Sequence, residues 1–232
     1  MMEVSYQRWM LPLLLLSRAL WGQVPLERMN LSNRLVAAEI VRHPDFTFQT
    51  NTQPAKVRLA TMEKLFDHPR LAAAMWRECQ FVPRLYAFAL PARGLVVDDA
   101  NGLRGTMTLA YREPGLRVYL IEGRVEKYRM GNPFPVSAKM VVIYKYWENA
   151  KGFQSHLQTW TTLDSAFLGV VTRPFRKFIQ RRQEEFMAYI MGNMAKGGEF
   201  ADSSFEDFLG PIQREGDPVA IRQFQEIFKG HS

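Results

Sequence analysis

Cysteine is nearly absent from this chain of 232 residues, which contains only Cys79. A single cysteine excludes an internal disulfide framework and a cysteine-rich zinc site. Histidine is also scarce, and the four that occur show none of the spacings of metal ligands: His43, His68, His156 and His231. The sequence therefore predicts neither a disulfide-stabilised fold nor a metal site.

Catalytic signatures are missing as well. The chain contains no glycine-rich phosphate loop, no nucleophile elbow and no metalloprotease helix. Asp98 and Asp99 look like paired carboxylates, but they precede Asn101 and Gly102, where aspartate stabilises a turn. The sequence therefore predicts no cofactor and leaves open whether the protein is an enzyme.

Dense runs of one charge are absent, although the chain has 30 Lys and Arg against 23 Asp and Glu, a net charge of +7. Such an excess allows contact with nucleic acid or with anionic lipid. However, the basic residues are spread along the chain, and no zinc-finger, RNP-like or recognition-helix signature accompanies them. Nucleic acid is therefore not expected as a partner, whereas an anionic membrane surface stays open as one.

The apolar run from Trp9 to Leu16 is too short to span a bilayer as a helix. It follows Arg8 and precedes the small residue Gly22, an order typical of a secretory signal peptide. We therefore predict a signal peptide over residues 1–22 and a periplasmic or secreted bacterial protein. An amphipathic N-terminal helix of a cytoplasmic protein is the alternative.

The rest of the chain divides by the period of its apolar residues. Helical spacing occurs over Leu31–Arg42, in two short helices between Val57 and Trp76, and after Thr162, where MAKGG at Met194–Gly198 predicts the helix end. Ser204 and Asp217 are predicted to cap two further helices. Alternating apolar residues predict strands at about Leu85–Leu90, Leu95–Asp98, Gly105–Tyr111, Arg117–Lys127, Lys139–Trp147 and Phe153–Thr162, with Phe46–Gln49 as a further candidate. The short turns between them predict antiparallel hairpins.

This order of elements resembles the START-like, or helix-grip, superfamily, which includes SRPBCC, polyketide cyclase and Bet v 1-type proteins. The resemblance rests on LATMEKLFDHPRLAAAMWREC, on DDANGLRGTMTLAY, and on GFQSHLQTWTTLDSAFLGVVTRPFRKFIQRRQEEFMAYIM, where the last strand leads into the long helix. It implies an α+β fold in which a curved antiparallel β-sheet wraps around a long C-terminal α-helix, with helical N- and C-terminal additions. It also implies a hydrophobic cavity between the sheet and the helix.

The resemblance further implies a division of the chain. After the signal peptide at 1–22 come an N-terminal helical extension at 23–55, a START-like ligand-binding domain at 56–198 and a C-terminal helical tail at 199–232. The implied function is binding, and in some relatives transport, of a hydrophobic small molecule or lipid. A cyclase or dehydratase-type enzyme on the same fold, and a peripheral-membrane or assembly protein without a ligand, are the alternatives.

Strand alternation and helical spacing select the side chains that would line this cavity. Tyrosine suits such a site because its ring packs against apolar matter while its hydroxyl orients a polar group. A filled core built from the same side chains is the alternative. The predicted lining residues are Met107, Leu109, Tyr111, Tyr119, Ile121, Val142, Tyr144 and Tyr146 from the strands, and Phe175, Phe178, Arg182 and Phe186 from the helix.

Arg182 falls between Phe178 and Phe186 on the apolar stripe of the predicted helix. Because an unpaired buried charge is costly, it requires a partner or a route to water. One hypothesis is that its guanidinium binds the anionic head of a ligand. The alternative is that Arg182 reaches solvent or pairs with Glu185 or with a carboxylate of the sheet.

His156 with Asp164 is the one acid–base pair that the sequence suggests. His156 shares a face with Gln154 and Gln158, which indicates the solvated side of the sheet. Asp164 precedes an apolar segment, as a helix cap does. General acid–base catalysis would require His156 to face the cavity, so its position distinguishes a carrier from an enzyme.

Overall fold

The structure is a computed structural model and describes residues 24–89, 94–100, 102–125, 136–164 and 176–228. The predicted signal peptide at 1–22 and the predicted lining residue Phe175 lie outside the described residues. The division into domains is not tested by the structure and stays a prediction.

Helices and strands follow the predicted order, from an N-terminal helix through a run of strands to a long helix. The helices are α1 (Leu31–Arg42), α2 (Leu59–Asp67), α3 (Pro69–Glu78), α4 (Arg176–Ser203), α5 (Phe205–Glu215) and α6 (Pro218–Phe228). The strands are β1 (Phe46–Asn51), β2 (Tyr86–Ala89), β3 (Gly94–Asp98), β4 (Leu103–Glu113), β5 (Leu116–Val125), β6 (Val136–Asn149) and β7 (Gly152–Leu163).

The strands form one antiparallel sheet of seven strands in the order β1-β7-β6-β5-β4-β3-β2. The hairpins predicted from the turn residues are confirmed, and so is the further candidate strand, since β1 pairs with β7 from Phe46 to Asn51. The protein is thus an α+β fold with a curved open sheet and a long C-terminal helix, consistent with the helix-grip arrangement.

One face of the sheet, called the inner face here, packs against most of the helices. Val142, Tyr144 and Tyr146 of β6 are buried on it. Side chains of α2, α3, the second half of α4, α5 and α6 complete this core, among them Met62, Leu65, Leu71, Met75, Met191, Ala195, Ile212, Phe224 and Phe228. Because large aromatic and aliphatic groups leave water together here, this core supplies most of the apolar burial.

The opposite or outer face of the sheet is covered by α1. Ala37 and Ile40 of that helix are buried against Val141, Ile143 and Trp160. The side-chain period of two places these strand residues opposite Val142 and Tyr144, so β6 contributes to both cores.

Helix α4 continues beyond the glycine pair at which an end is predicted. It extends to Ser203, so the end predicted from MAKGG is wrong. The reason is packing, because a Cβ atom on Gly198 would lie 3.0 Å from Val57 Cγ2 and 3.1 Å from Met62 Sδ. Glycine here allows α4 to approach α2 closely and does not end the helix.

Asp217 caps α6 as predicted, since its Oδ1 accepts a hydrogen bond from the backbone N–H of Val219 at 3.0 Å. Ser204 precedes α5, but its side chain makes no capping hydrogen bond. The chain turn at Gly216, which has a φ of 73°, joins the two helices. Both helices then contribute apolar residues to the inner core.

Gly105 provides a stability test of the sheet, because β4 and β5 approach each other closely there. A Cβ atom at this position would lie 2.7 Å from the Glu122 carbonyl oxygen. We expect Gly105→Ala to lower the free energy of unfolding by about 1–3 kcal/mol, since backbone atoms must move. The measurement is urea denaturation followed by circular dichroism.

Gly192→Ala in α4 is the matched control. Apart from its own helix backbone, no atom of the described residues lies within 4 Å of its would-be Cβ, so alanine should stabilise the helix by up to about 1 kcal/mol. A stabilising Gly105→Ala would show that the strands do not approach as described.

Candidate functional site

Most of the predicted strand residues lie on the inner face. Tyr119 and Ile121 of β5 are partly buried against the core that contains Val142, Tyr144 and Tyr146. Met107 and Leu109 of β4 pair in register with Ile121 and Tyr119, so they share that face, and both are half-buried. The faces predicted from alternation are therefore confirmed at these seven positions. Their role in binding stays a prediction.

Tyr111 is the exception among the strand residues. Leu109 pairs with Tyr119, but Tyr111 pairs with Val118, because a β-bulge interrupts the register. A bulge adds one residue and reverses the side-chain alternation beyond it. Tyr111 consequently lies on the outer face, where its hydroxyl donates to Glu113 at 2.7 Å. Its predicted position beside Met107 and Leu109 is wrong.

The helical residues lie on the exposed side of α4. Phe178 is 62% exposed and Phe186 is 43% exposed. The packed side of this helix is a different one, on which Gln180 donates to the Thr47 carbonyl at 2.7 Å. Met187 is partly buried on the packed side.

Arg182 is exposed with its neighbours. Its side chain is 68% exposed and lies 3.3 Å from Glu185. Its guanidinium carbon stands 5.5 Å from the Phe178 ring centroid. The structure thus shows the pairing with Glu185 that the sequence suggested as the alternative, and Arg182 is not a buried charge.

The buried arginine of the inner face is Arg117, which sequence reasoning missed. It is 3% exposed. Its Nη1 donates to Asp67 at 2.8 Å and its Nε donates to the Tyr146 hydroxyl at 3.2 Å. The Tyr146 hydroxyl in turn lies 3.1 Å from Glu63 Oε1. Strand alternation was the available signal, because Arg117 shares its parity with Tyr119 and Ile121.

The ionisation of this cluster is set by burial and by pairing. Burial acts to lower the pKa of Arg117, but the hydrogen bonds that it donates to Asp67 and Tyr146 outweigh burial and raise the pKa. Burial raises the pKa of Tyr119 to about 12. Burial likewise raises the pKa of Tyr144. At neutral pH Arg117 is therefore a cation, and the hydroxyl groups of Tyr119 and Tyr144 are neutral.

Aromatic rings fill the inner face around this cluster. Phe66 of α2 lies with its ring centroid 5.2 Å from both Tyr144 and Tyr146. It also lies 5.3 Å from the guanidinium carbon of Arg117. This part of the inner face is a filled core, as the alternative interpretation stated. A ligand would have to bind further along the strands, toward Ile121.

His156 lies on the outer face, since the register places it opposite Lys145 and Asn51. Its Nδ1 is 2.8 Å from Asn51 Oδ1. Burial first, and the positive charge of Lys145 second, lower the pKa of His156. Asp164 follows by eight positions, which on an extended strand is roughly 26 Å. The two residues do not form the acid–base pair considered from the sequence.

Two cavities adjoin the described residues. The larger, of about 630 Å³, is a groove between α1 and the outer face of the sheet. The smaller, of about 10 Å³, lies between α3 and α4 and has room for no more than a water molecule. The larger cavity is thus on the side of the sheet opposite to the predicted site.

The described ranges contain neither a candidate metal site nor a candidate membrane-spanning helix. No group of His, Cys, Asp or Glu side chains within them is arranged to hold a metal ion. None of the helices described there combines the length and the low charge that crossing a bilayer requires.

Comparison with known proteins supplies no family. No protein family matches the chain. No curated protein matches it either.

Two solved structures from bacteria align with part of the chain. A conserved protein from Geobacillus kaustophilus has 8% sequence identity and a TM-score of 0.46, over 67% of this chain and 97% of that one. The protein XoxI from Bacillus cereus has 11% identity and a TM-score of 0.31, over 69% and 96%. Neither likeness identifies a ligand or a reaction.

The two arginines that share Asp67 permit a direct test of the buried cluster. Arg112 lies 3.0 Å from Asp67, but its side chain is 62% exposed, so Arg112→Ala should cost about 0–1 kcal/mol. Asp67→Ala leaves the Arg117 guanidinium buried without its carboxylate. We expect a loss of about 2 kcal/mol, less than for a fully buried pair because Asp67 is partly exposed. Equal losses in urea denaturation would contradict this role of Arg117.

The buried tyrosines predict a fall in stability at high pH. A group with a higher pKa in the folded state stabilises the fold below its unfolded pKa, and this contribution is lost as pH rises through the folded pKa. The ordinary pKa of Tyr144 is 10.0 and burial raises it. We therefore expect the urea midpoint to fall between about pH 10 and pH 12, and to fall less in Tyr144→Phe. An equal fall of the urea midpoint with pH in the unaltered protein and in Tyr144→Phe would argue against this explanation.

Proposed function

We propose that the protein binds an amphiphilic small molecule or lipid between the inner face of the sheet and the first half of α4. The observation that carries this proposal is a row of side chains across four adjacent strands. Met107, Ile121 and Met140 are neighbours in register on the inner face, and Thr161 of β7 is the next. The row spans about 14 Å at the usual strand spacing, a length comparable to a medium acyl chain.

The row is apolar along most of its length and includes an unpaired hydroxyl, that of Thr161, which Phe46 of β1 follows in register. Thr161 Oγ1 is buried without a hydrogen-bond partner within the described part of the chain, and the same holds for Thr159 Oγ1 and Gln183 Oε1. Buried polar atoms are nearly always hydrogen-bonded in folded proteins. These atoms are therefore suited to the polar group of an amphiphile or to a water molecule.

Helix α4 covers the row only at its Thr161 end, next to β1. Its main contacts among the described residues are with β1, α2, α3 and α5, and not with β4 or β5. Met107 and Ile121 consequently remain half-buried. A ligand that covered them would remove apolar surface from water at about 25 cal/mol per Å².

Tyr189, on the exposed side of α4, lies near the β2 edge of the sheet. The Tyr189 ring lies 6.2 Å from Trp76 of α3, and α3 packs against β2. Phe178 and Phe186 precede Tyr189 on the same helical face. In the proposed complex, the ligand would lie between these exposed rings and the apolar row of the sheet.

Alanine substitution of the two exposed phenylalanines tests this proposal. We expect Phe178→Ala with Phe186→Ala to weaken binding of N-phenyl-1-naphthylamine, a neutral apolar fluorophore, by at least roughly tenfold, because a fully buried ring contributes about 1.5–3 kcal/mol and a tenfold change in affinity is about 1.4 kcal/mol. Dodecanol and dodecanoate are then used as competitors, so that displacement by a neutral head group can be compared with displacement by a charged one. The measurement is fluorescence titration, after native mass spectrometry of the purified protein.

Phe200→Ala is the matched control, because Phe200 is 50% exposed on the same helix but near its other end. The Phe200→Ala variant should bind the fluorophore with the same affinity as the unaltered protein. No saturable binding, or equal binding by all variants, would overturn the proposal. Binding to anionic vesicles without extraction of lipid would favour the peripheral-membrane alternative instead.

A further inference from the structure

The groove on the outer face has the size of a small-molecule site. Its volume is about 630 Å³, and such sites usually measure about 300–1,000 Å³. One wall is α1, and the other is formed by strands β4 to β7. The groove opens on the outer face, and Ile121, whose side chain packs against the inner core, also borders it.

The floor of the groove is apolar. Ile40 is buried in the outer core, where α1 also covers Val141 and Trp160. Leu120 lies in the same core but is only partly buried, because the groove opens beside it. Val36, on the preceding turn of α1, is 40% exposed and borders the same space. The body of a small molecule can therefore rest on the aliphatic side chains of Ile40, Leu120 and Val36.

Charged side chains surround this floor. Glu39 comes from α1, Glu122 from β5 and Asp164 from the end of β7, and all three line the groove. Lys139 lines it as well and is the cross-strand partner of Glu122. His43, four positions after Glu39, is at the border.

These charges are not neutralised by one another. Opposite charges directly across a pair of strands normally attract, yet no ion pair joins Glu122 to Lys139, and none involves Glu39 or Asp164, in the described ranges. Some carboxylates elsewhere on the surface are paired, as Glu113 is with Arg28 at 2.7 Å. Carboxylates from three separate elements thus face the groove against one ammonium group.

We propose that this groove is a binding site for a small organic amine. The ammonium group would donate charge-assisted hydrogen bonds to Glu39 and Glu122, which are stronger than neutral ones. The aliphatic part would cover Leu120, Ile40 and Val36. An anionic ligand of the same shape is disfavoured, because it would meet three carboxylates.

A series of six-carbon probes tests the proposal on the full chain. Hexylamine, hexanol and hexanoate differ only in the head group, and binding is followed by the backbone amide resonances in two-dimensional NMR. Hexylamine should give saturable shifts at Leu120 and Glu122, whereas hexanol should bind at least roughly tenfold more weakly because it lacks the charge. Hexanoate should give no saturable shift in the groove.

Charge-neutral substitutions locate the effect. Glu39→Gln with Glu122→Gln should weaken hexylamine binding roughly tenfold or more. Glu206→Gln on α5 removes an exposed carboxylate outside the groove and should leave hexylamine binding unchanged. Equal binding of hexylamine and hexanol, equal loss in the control variant, or shifts spread evenly over the surface would each overturn the proposal. Failure here would leave the fluorophore binding on the inner face unaffected, so the two proposals fail independently.

Discussion

The buried guanidinium of Arg117 joins the sheet to the helices that cover its inner face. It extends from β5 to the last turn of α2, where Asp67 and the Glu63 carbonyl accept its hydrogen bonds. A cation is favoured at that position because the carbonyl groups at a helix C-terminus lack partners within the helix. Beside this contact, Phe66 packs against both Tyr144 and Tyr146, so this end of the inner face is filled.

The order of elements could be predicted because it depends on local pattern. Alternation located the strands, and turn residues such as Glu113 to Gly115 indicated hairpins, so the antiparallel sheet followed. The faces of Val142, Tyr144 and Tyr146 followed from the same period. The position of Tyr111 did not, because a bulge at Ala110 leaves no mark in the apolar pattern of a single strand. It becomes visible only when β4 is aligned with β5.

The two arginines show where local pattern is insufficient. Arg182 has its partner, Glu185, three residues away on the same helix, and such a pair forms in solvent. Arg117 finds its partner Asp67 fifty positions away in the sequence. Burial of a charge depends on distant groups that neutralise it, so helical spacing alone cannot identify which arginine is buried. Gly198 is a similar case. The local pattern predicts a helix end there, because it does not show that the missing side chain allows close contact with α2.

The two candidate sites depend on one alternation in β5. Ile121 points to the inner face and belongs to an apolar row, whereas Glu122 points outward beside Lys139. A shift of the register by one residue would exchange these faces, placing a carboxylate in the core and an isoleucine in the groove. Gly105 and Gly123, which pair in register, lie beside both rows and allow the strands to approach there. The distinction between an apolar inner site and a charged outer one therefore rests on the pairing of β4 with β5.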